Sequence, residues 1–124
     1  MHLRIGIVAL VALALASQRP NLFAAQDPLI KFYGVSSDSC GVWTADSADR
    51  TSLRAQVQKW WVLGFVSGAS TILATDNNVA IAETDVPGIE GWITKYCSDH
   101  PLDKIATATM KLVGELRARA SKPR

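Results

Sequence analysis

Sixteen consecutive residues, Trp60–Thr75 (WWVLGFVSGASTILAT), carry no charge and contain no proline. Such a run must satisfy its backbone hydrogen bonds and cover its apolar side chains, and a helix with partners does both. It is shorter than the ~18–20 apolar residues that a membrane span requires, so no stable membrane insertion is expected. The run continues one predicted helix, Arg50–Ala74. In its first half Leu53, Val57 and Trp60 or Trp61 recur at spacings of three and four, with Arg54, Gln56, Gln58 and Lys59 around the rest of the turn. In its second half Val62, Leu63, Phe65, Val66, Ala69, Ile72 and Leu73 are apolar at every angle, which predicts burial on all sides. Gly64 and Gly68, one turn apart, are expected as packing glycines that let a neighbouring helix approach closely. Trp60 and Trp61 project about 100° apart, so both are buried only if helices pack on two sides or a second subunit covers one. A homodimer is therefore one expectation.

The first residues have the form of an export signal: a short polar start with His2 and Arg4, then the apolar Ile5–Ala16, then small residues. Cleavage after Ala16 or after Ala25 both fit, and residues 1–25 are read as a cleavable leader placing the chain in the periplasm or outside the cell. All 11 acidic residues follow position 25, against 11 remaining Lys and Arg, so the rest of the chain is formally neutral. A neutral domain has no electrostatic reason to seek nucleic acid or anionic lipid. The two cysteines, Cys40 and Cys97, are far apart in sequence, and in an exported chain such a pair reads as one disulfide. A loop of this length contributes roughly 4 kcal/mol in the chain-entropy treatment.

Around the central helix, Gln26–Ser39 reads as irregular and Cys40–Thr44 as a short helix or turn capped by Ser37, Asp38 or Ser39. Thr75–Asp85 reads as a loop. Pro87 opens a helix, Pro87–Cys97, with Ile89, Trp92, Ile93 and Tyr96 at helical spacing. Pro101 opens a last helix, Pro101–Arg119, with His100 near its cap, Asp103 in its first turn and a stripe of Leu102, Ile105, Thr109, Leu112, Val113 and Leu116. No strand-like alternation occurs. The fold class is all-α: residues 26–124 form a small single-domain helical bundle with one long central helix and one disulfide.

No catalytic, metal or cofactor constellation emerges. After the leader there is one histidine, His100; Cys97-Ser98-Asp99-His100 has a metal-ligand spacing but no second cluster to complete it. Gly64-Phe65-Val66-Ser67-Gly68 has its serine one position away from the hydrolase-elbow order and lies within a helix. Trp60-x-x-Leu63-Gly64 resembles a tetratricopeptide start, but nothing similar follows about 34 residues later. A binding protein is expected, not an enzyme.

The arrangement of an exported chain, a cysteine at a short first helix, a long central helix, and the segment DVPGIEGWITKYCSDHPLDKIATATMKLVGEL (Asp85–Leu116) resembles the HdeA/HdeB-like small periplasmic proteins. That resemblance implies an ATP-independent acid-stress chaperone. In strong acid the 11 carboxylates would be neutralised and the positive charge would loosen the fold. Trp60, Trp61, Val62, Phe65 and Val66 would then face unfolding clients. The element LGFVSGA (Leu63–Ala69) and the Asp99-His100-Pro101 helix start are similar instead to immunity proteins that neutralise type VI-secreted peptidoglycan amidases. Those proteins commonly carry a further cysteine ahead of the glycine element, and none stands there in this chain. That resemblance implies a module binding one cognate toxin.

Overall fold

A computed structural model describes residues 30–121, and from Phe32 onward they belong to one compact unit. The expected leader and its cleavage sites lie outside the described residues. The fold is all-α: a 3-10 turn, Gly34–Ser37, precedes helices α1 (Cys40–Asp46), α2 (Leu53–Asn77), α3 (Val86–Asp99) and α4 (Ile105–Ala120). Among the described residues the only β pairing is an isolated bridge between Ser39 and Lys104.

The first three helix starts each have a local chemical cause. Ser39 Oγ accepts from Val42 N at 3.3 Å at α1, and Ser52 Oγ accepts from Ala55 N at 3.3 Å at α2. Asp85 Oδ1 accepts from Gly88 N at 2.8 Å at α3, where Pro87 occupies the first turn without forfeiting a helical hydrogen bond. Asn78 ends α2 in the left-handed conformation at φ 50°, which asparagine tolerates better than most residues.

The last helix begins later than Pro101. The carbonyls of Pro101 and Asp103 accept from Gly41 N (2.9 Å) and Cys40 N (2.7 Å), and Ile105 N donates to Asp38 O (3.0 Å). Residues 101–104 thus splice onto the start of α1, and α4 starts at Ile105. Leu102, expected on the buried stripe, is 92% exposed for this reason. His100 ends α3 rather than opening α4: its N–H donates to Tyr96 O at 2.9 Å, and its ring stacks on Tyr96 with centroids 4.3 Å apart.

The Cys40–Cys97 disulfide joins α1 to the end of α3, as the spacing predicts, and both cysteines are fully buried. Around it pack Trp43, Val62, Ile93, Ile105, Ala108 and Leu112. Each large apolar side chain among them contributes roughly 1.5–3 kcal/mol of transfer free energy. A second tie lies beside the core. Thr94 Oγ1 on α3 accepts from Trp43 Nε1 at 3.0 Å and from Arg50 Nη2 at 3.1 Å, while the Arg50 guanidinium lies 4.6 Å over the Trp43 ring.

Candidate protein-binding face

The central helix is not buried on all sides. Its covered face carries Ala55, Gln58, Val62 and Val66, whereas Trp60 is 64% exposed and Ile72 58% exposed. α2 has 25 residues, and the shorter elements of the bundle cannot surround it. The first half is turned opposite to its apolar periodicity, with Leu53 80% exposed and the polar Gln58 fully buried.

That inversion has an electrostatic cause. Gln58 Nε2 donates to Asp38 Oδ2 at 3.2 Å and to Asp46 Oδ2 at 3.0 Å. Arg54 reaches the same two carboxylates, Nη2 to Asp38 at 3.1 Å and Nε to Asp46 at 3.4 Å. Two partly buried acids, Asp38 just after the 3-10 turn and Asp46 in α1, therefore require donors on the facing side of α2. Leu53, Val57 and Trp60 consequently point outward. Lys59 lies next to this face, 4.0 Å from Glu90 Oε1, with its Nζ 5.5 Å from the Trp60 ring centroid.

The five side chains expected to meet a client fall into three settings. Val62 and Val66 are core residues. Trp61 and Phe65 are half-buried and stack with centroids 5.4 Å apart, and Phe32 lies 6.3 Å from the first and 6.0 Å from the second. Trp60 alone is exposed.

Gly64 and Gly68 do not pack against another helix of the chain. A Cβ built on either meets no described atom within 4 Å, because both lie on the outward face. Leu53, Val57, Trp60, Gly64, Gly68 and Ile72 follow one another at steps of three or four, forming a single outward stripe. Beside it an apolar groove of about 450 Å³ runs between α2 and α4, lined by Phe65, Gly68, Ala69, Ile72 and Leu73 on one side and Met110 and Val113 on the other. The groove was not legible in the sequence, where Met110 falls off the α4 stripe.

Elsewhere, Tyr96 Oη donates to Asp103 Oδ2 at 2.5 Å, and this bond to a carboxylate, with burial, pushes the phenol up to about 12. Thr51 donates to Asp49 and holds that carboxyl below the usual range. Among the described residues no group of three or more His, Cys, Asp or Glu side chains is placed to hold a metal ion, and no helix is long and apolar enough to cross a membrane. What the site offers chemically is uncharged surface: an exposed indole, two hollows at glycines and an apolar groove.

No family model matches the chain, and no curated protein or solved structure matches it significantly.

Proposed function

We propose that this chain is a non-enzymatic exported protein that uses the uncharged face of α2 to hold unfolding periplasmic proteins, as the HdeA/HdeB resemblance implies. One observation carries the reading: Trp60 and Ile72 stand exposed on a stripe without charge, beside an open apolar groove. Contiguous apolar surface of this kind marks interaction sites. The disulfide supports work in an oxidising compartment and survives acid. The carboxylates of Asp38, Asp46 and Asp103 each hold a donor on another segment. Strong acid loads the chain with positive charge, and self-repulsion that opens the fold brings the half-buried Trp61 and Phe65 onto the exposed face.

The test is light scattering from a periplasmic client unfolding at about pH 2–3, with and without the chain. Suppression by the native sequence, largely lost in the Trp60→Gln/Ile72→Gln double variant, is expected. No suppression at any molar ratio would sink the chaperone reading.

The openness of the groove at neutral charge balance favours a second reading, the immunity-type module. Such a module needs a preformed surface for one folded partner, without acid. It predicts nanomolar binding at pH 7 to a peptidoglycan amidase encoded beside the chain, abolished by Ala69→Trp in the groove.

A further inference from the structure

We infer that the groove between α2 and α4 binds a single-chain phospholipid with a zwitterionic head. The acyl chain lies in the groove, and the phosphate and ammonium meet Arg117 and Asp76 at its end. This activity goes beyond the holding of unfolding proteins and does not depend on it.

The groove itself selects an alkyl chain. Its volume of about 450 Å³ is that of a small-molecule site, and its α2 wall runs from Phe65 to Leu73, about 12 Å of helix. No polar side chain lines it, and the backbone groups of both walls are spent within their own helices. An extended peptide laid there would leave its own N–H and C=O groups without partners. A helix satisfies those groups, but at about 10 Å across it would rest on the two rims rather than enter. An alkyl chain brings no polar group. Met110 on the α4 wall has an unbranched thioether that adapts to its shape, and Gly68 leaves room that any side chain would take.

The end of the groove selects the head. Arg117 follows Val113 by one turn on α4, and Asp76 follows Ile72 by one turn on α2, so each carries its wall onward. Both lie at the same end of the groove. There Ala82 N donates to Leu116 O at 3.0 Å, and Val79, Ala80, Arg117 and Ala120 line a second hollow of about 360 Å³. Among the described residues neither Asp76 nor Arg117 is in an ion pair. One uncommitted charge of each sign matches a head with one of each. A fatty-acid carboxylate fits worse, because α2 and α4 both end here and their negative dipole ends, with Asp76, oppose a lone anion. In the zwitterion the ammonium answers those groups, and the phosphate takes two N–H donors from Arg117.

Methionine occurs only at Met1 and Met110, so [methyl-13C]methionine labelling of protein expressed from the full-length sequence places a probe in the groove. With the Met110 line assigned from Met110→Leu, the protein is titrated at neutral pH with a lysophosphatidylethanolamine below its micelle concentration. A maltoside and a fatty acid of the same chain length are titrated in parallel. The lysolipid should shift the Met110 line saturably and bind at least about tenfold tighter than either of the others. Gly68→Leu fills the groove from an open site, so it should weaken binding at least about tenfold without lowering the melting temperature. Arg117→Gln should weaken the lysolipid by about tenfold and leave the maltoside unchanged. A Met110 line unmoved by the lysolipid, equal binding of the three amphiphiles, or a Gly68→Leu variant that binds as tightly as the native one overturns the inference. Lysolipid binding by a protein that protects no client removes the chaperone reading alone. Client protection without lysolipid binding removes this inference alone.

Discussion

Replacing Thr94 with valine keeps the shape of the side chain and removes the oxygen that joins α3 to α1 and to Arg50. That oxygen accepts two hydrogen bonds, from Trp43 Nε1 at 3.0 Å and Arg50 Nη2 at 3.1 Å. Trp43 is fully buried, so its indole N–H is left without a partner, at a cost of about 1–3 kcal/mol. Arg50 loses a bond from a charged donor, and its Nη1 is already buried without a partner. Because the residue is only partly buried, its share belongs at the lower end of that range. The sum is about 2–4 kcal/mol, a large fraction of the roughly 5–15 kcal/mol that stabilises a small domain. Urea unfolding followed by tryptophan fluorescence reads the loss directly. With a slope near 1 kcal/mol per M, at the low end expected for so small a domain, the midpoint should fall by about 2–4 M. Thr94→Ser keeps the acceptor and should lose less than half as much. In a double-mutant cycle, Arg50→Met should recover part of the Thr94→Val loss, because one stranded donor is then gone. A Thr94→Val midpoint within about 0.5 M of the native value would refute the two-donor account.

Three further outcomes follow from the same geometry. Cys97→Ser should cost roughly 4 kcal/mol, seen as a lower urea midpoint that reductant no longer changes. Tyr96, with its phenol pushed up to about 12, contributes stability that is complete below pH of about 10 and is lost as pH rises through about 12. Tyr96→Phe should therefore be less stable at neutrality and should lack that alkaline decline, as urea midpoints between about pH 8 and 12 will report. Gly68→Ala should raise the melting temperature by an amount equivalent to about 1 kcal/mol, since the added methyl meets open space and alanine favours the helix.

Local chemistry made much of the fold legible. Pro87 marks the start of α3, Ser39 caps α1, and the two cysteines name the pair of helices that the disulfide joins. The start of α4 was misplaced because the carbonyls of Pro101 and Asp103 are engaged by α1, a pairing between segments about 60 residues apart that no local period encodes. The face of α2 was inverted for a related reason. Leucine, valine and tryptophan at helical spacing argue for an inward stripe, but Asp38 and Asp46 lie beneath that helix and draw Gln58 inward. A glutamine on an amphipathic helix gives no sign in sequence of such buried partners. Of the candidate site, the uncharged run itself was visible from composition. Which of its side chains remain outside depends on how many helices pack against it, and only the assembled chain determines that.

The central claim is that the outward face of α2 is where this protein meets its partners. Fluorine NMR of the chain labelled with 5-fluorotryptophan tests it most directly, with the Trp60 line assigned from Trp60→Phe and a client titrated in during acid unfolding. Trp60, exposed on that face, should shift or broaden first, while Trp43, fully buried beside the disulfide, should change only if the whole fold opens. A bound client that leaves the Trp60 line unmoved, or that perturbs Trp43 before Trp60, would contradict the account.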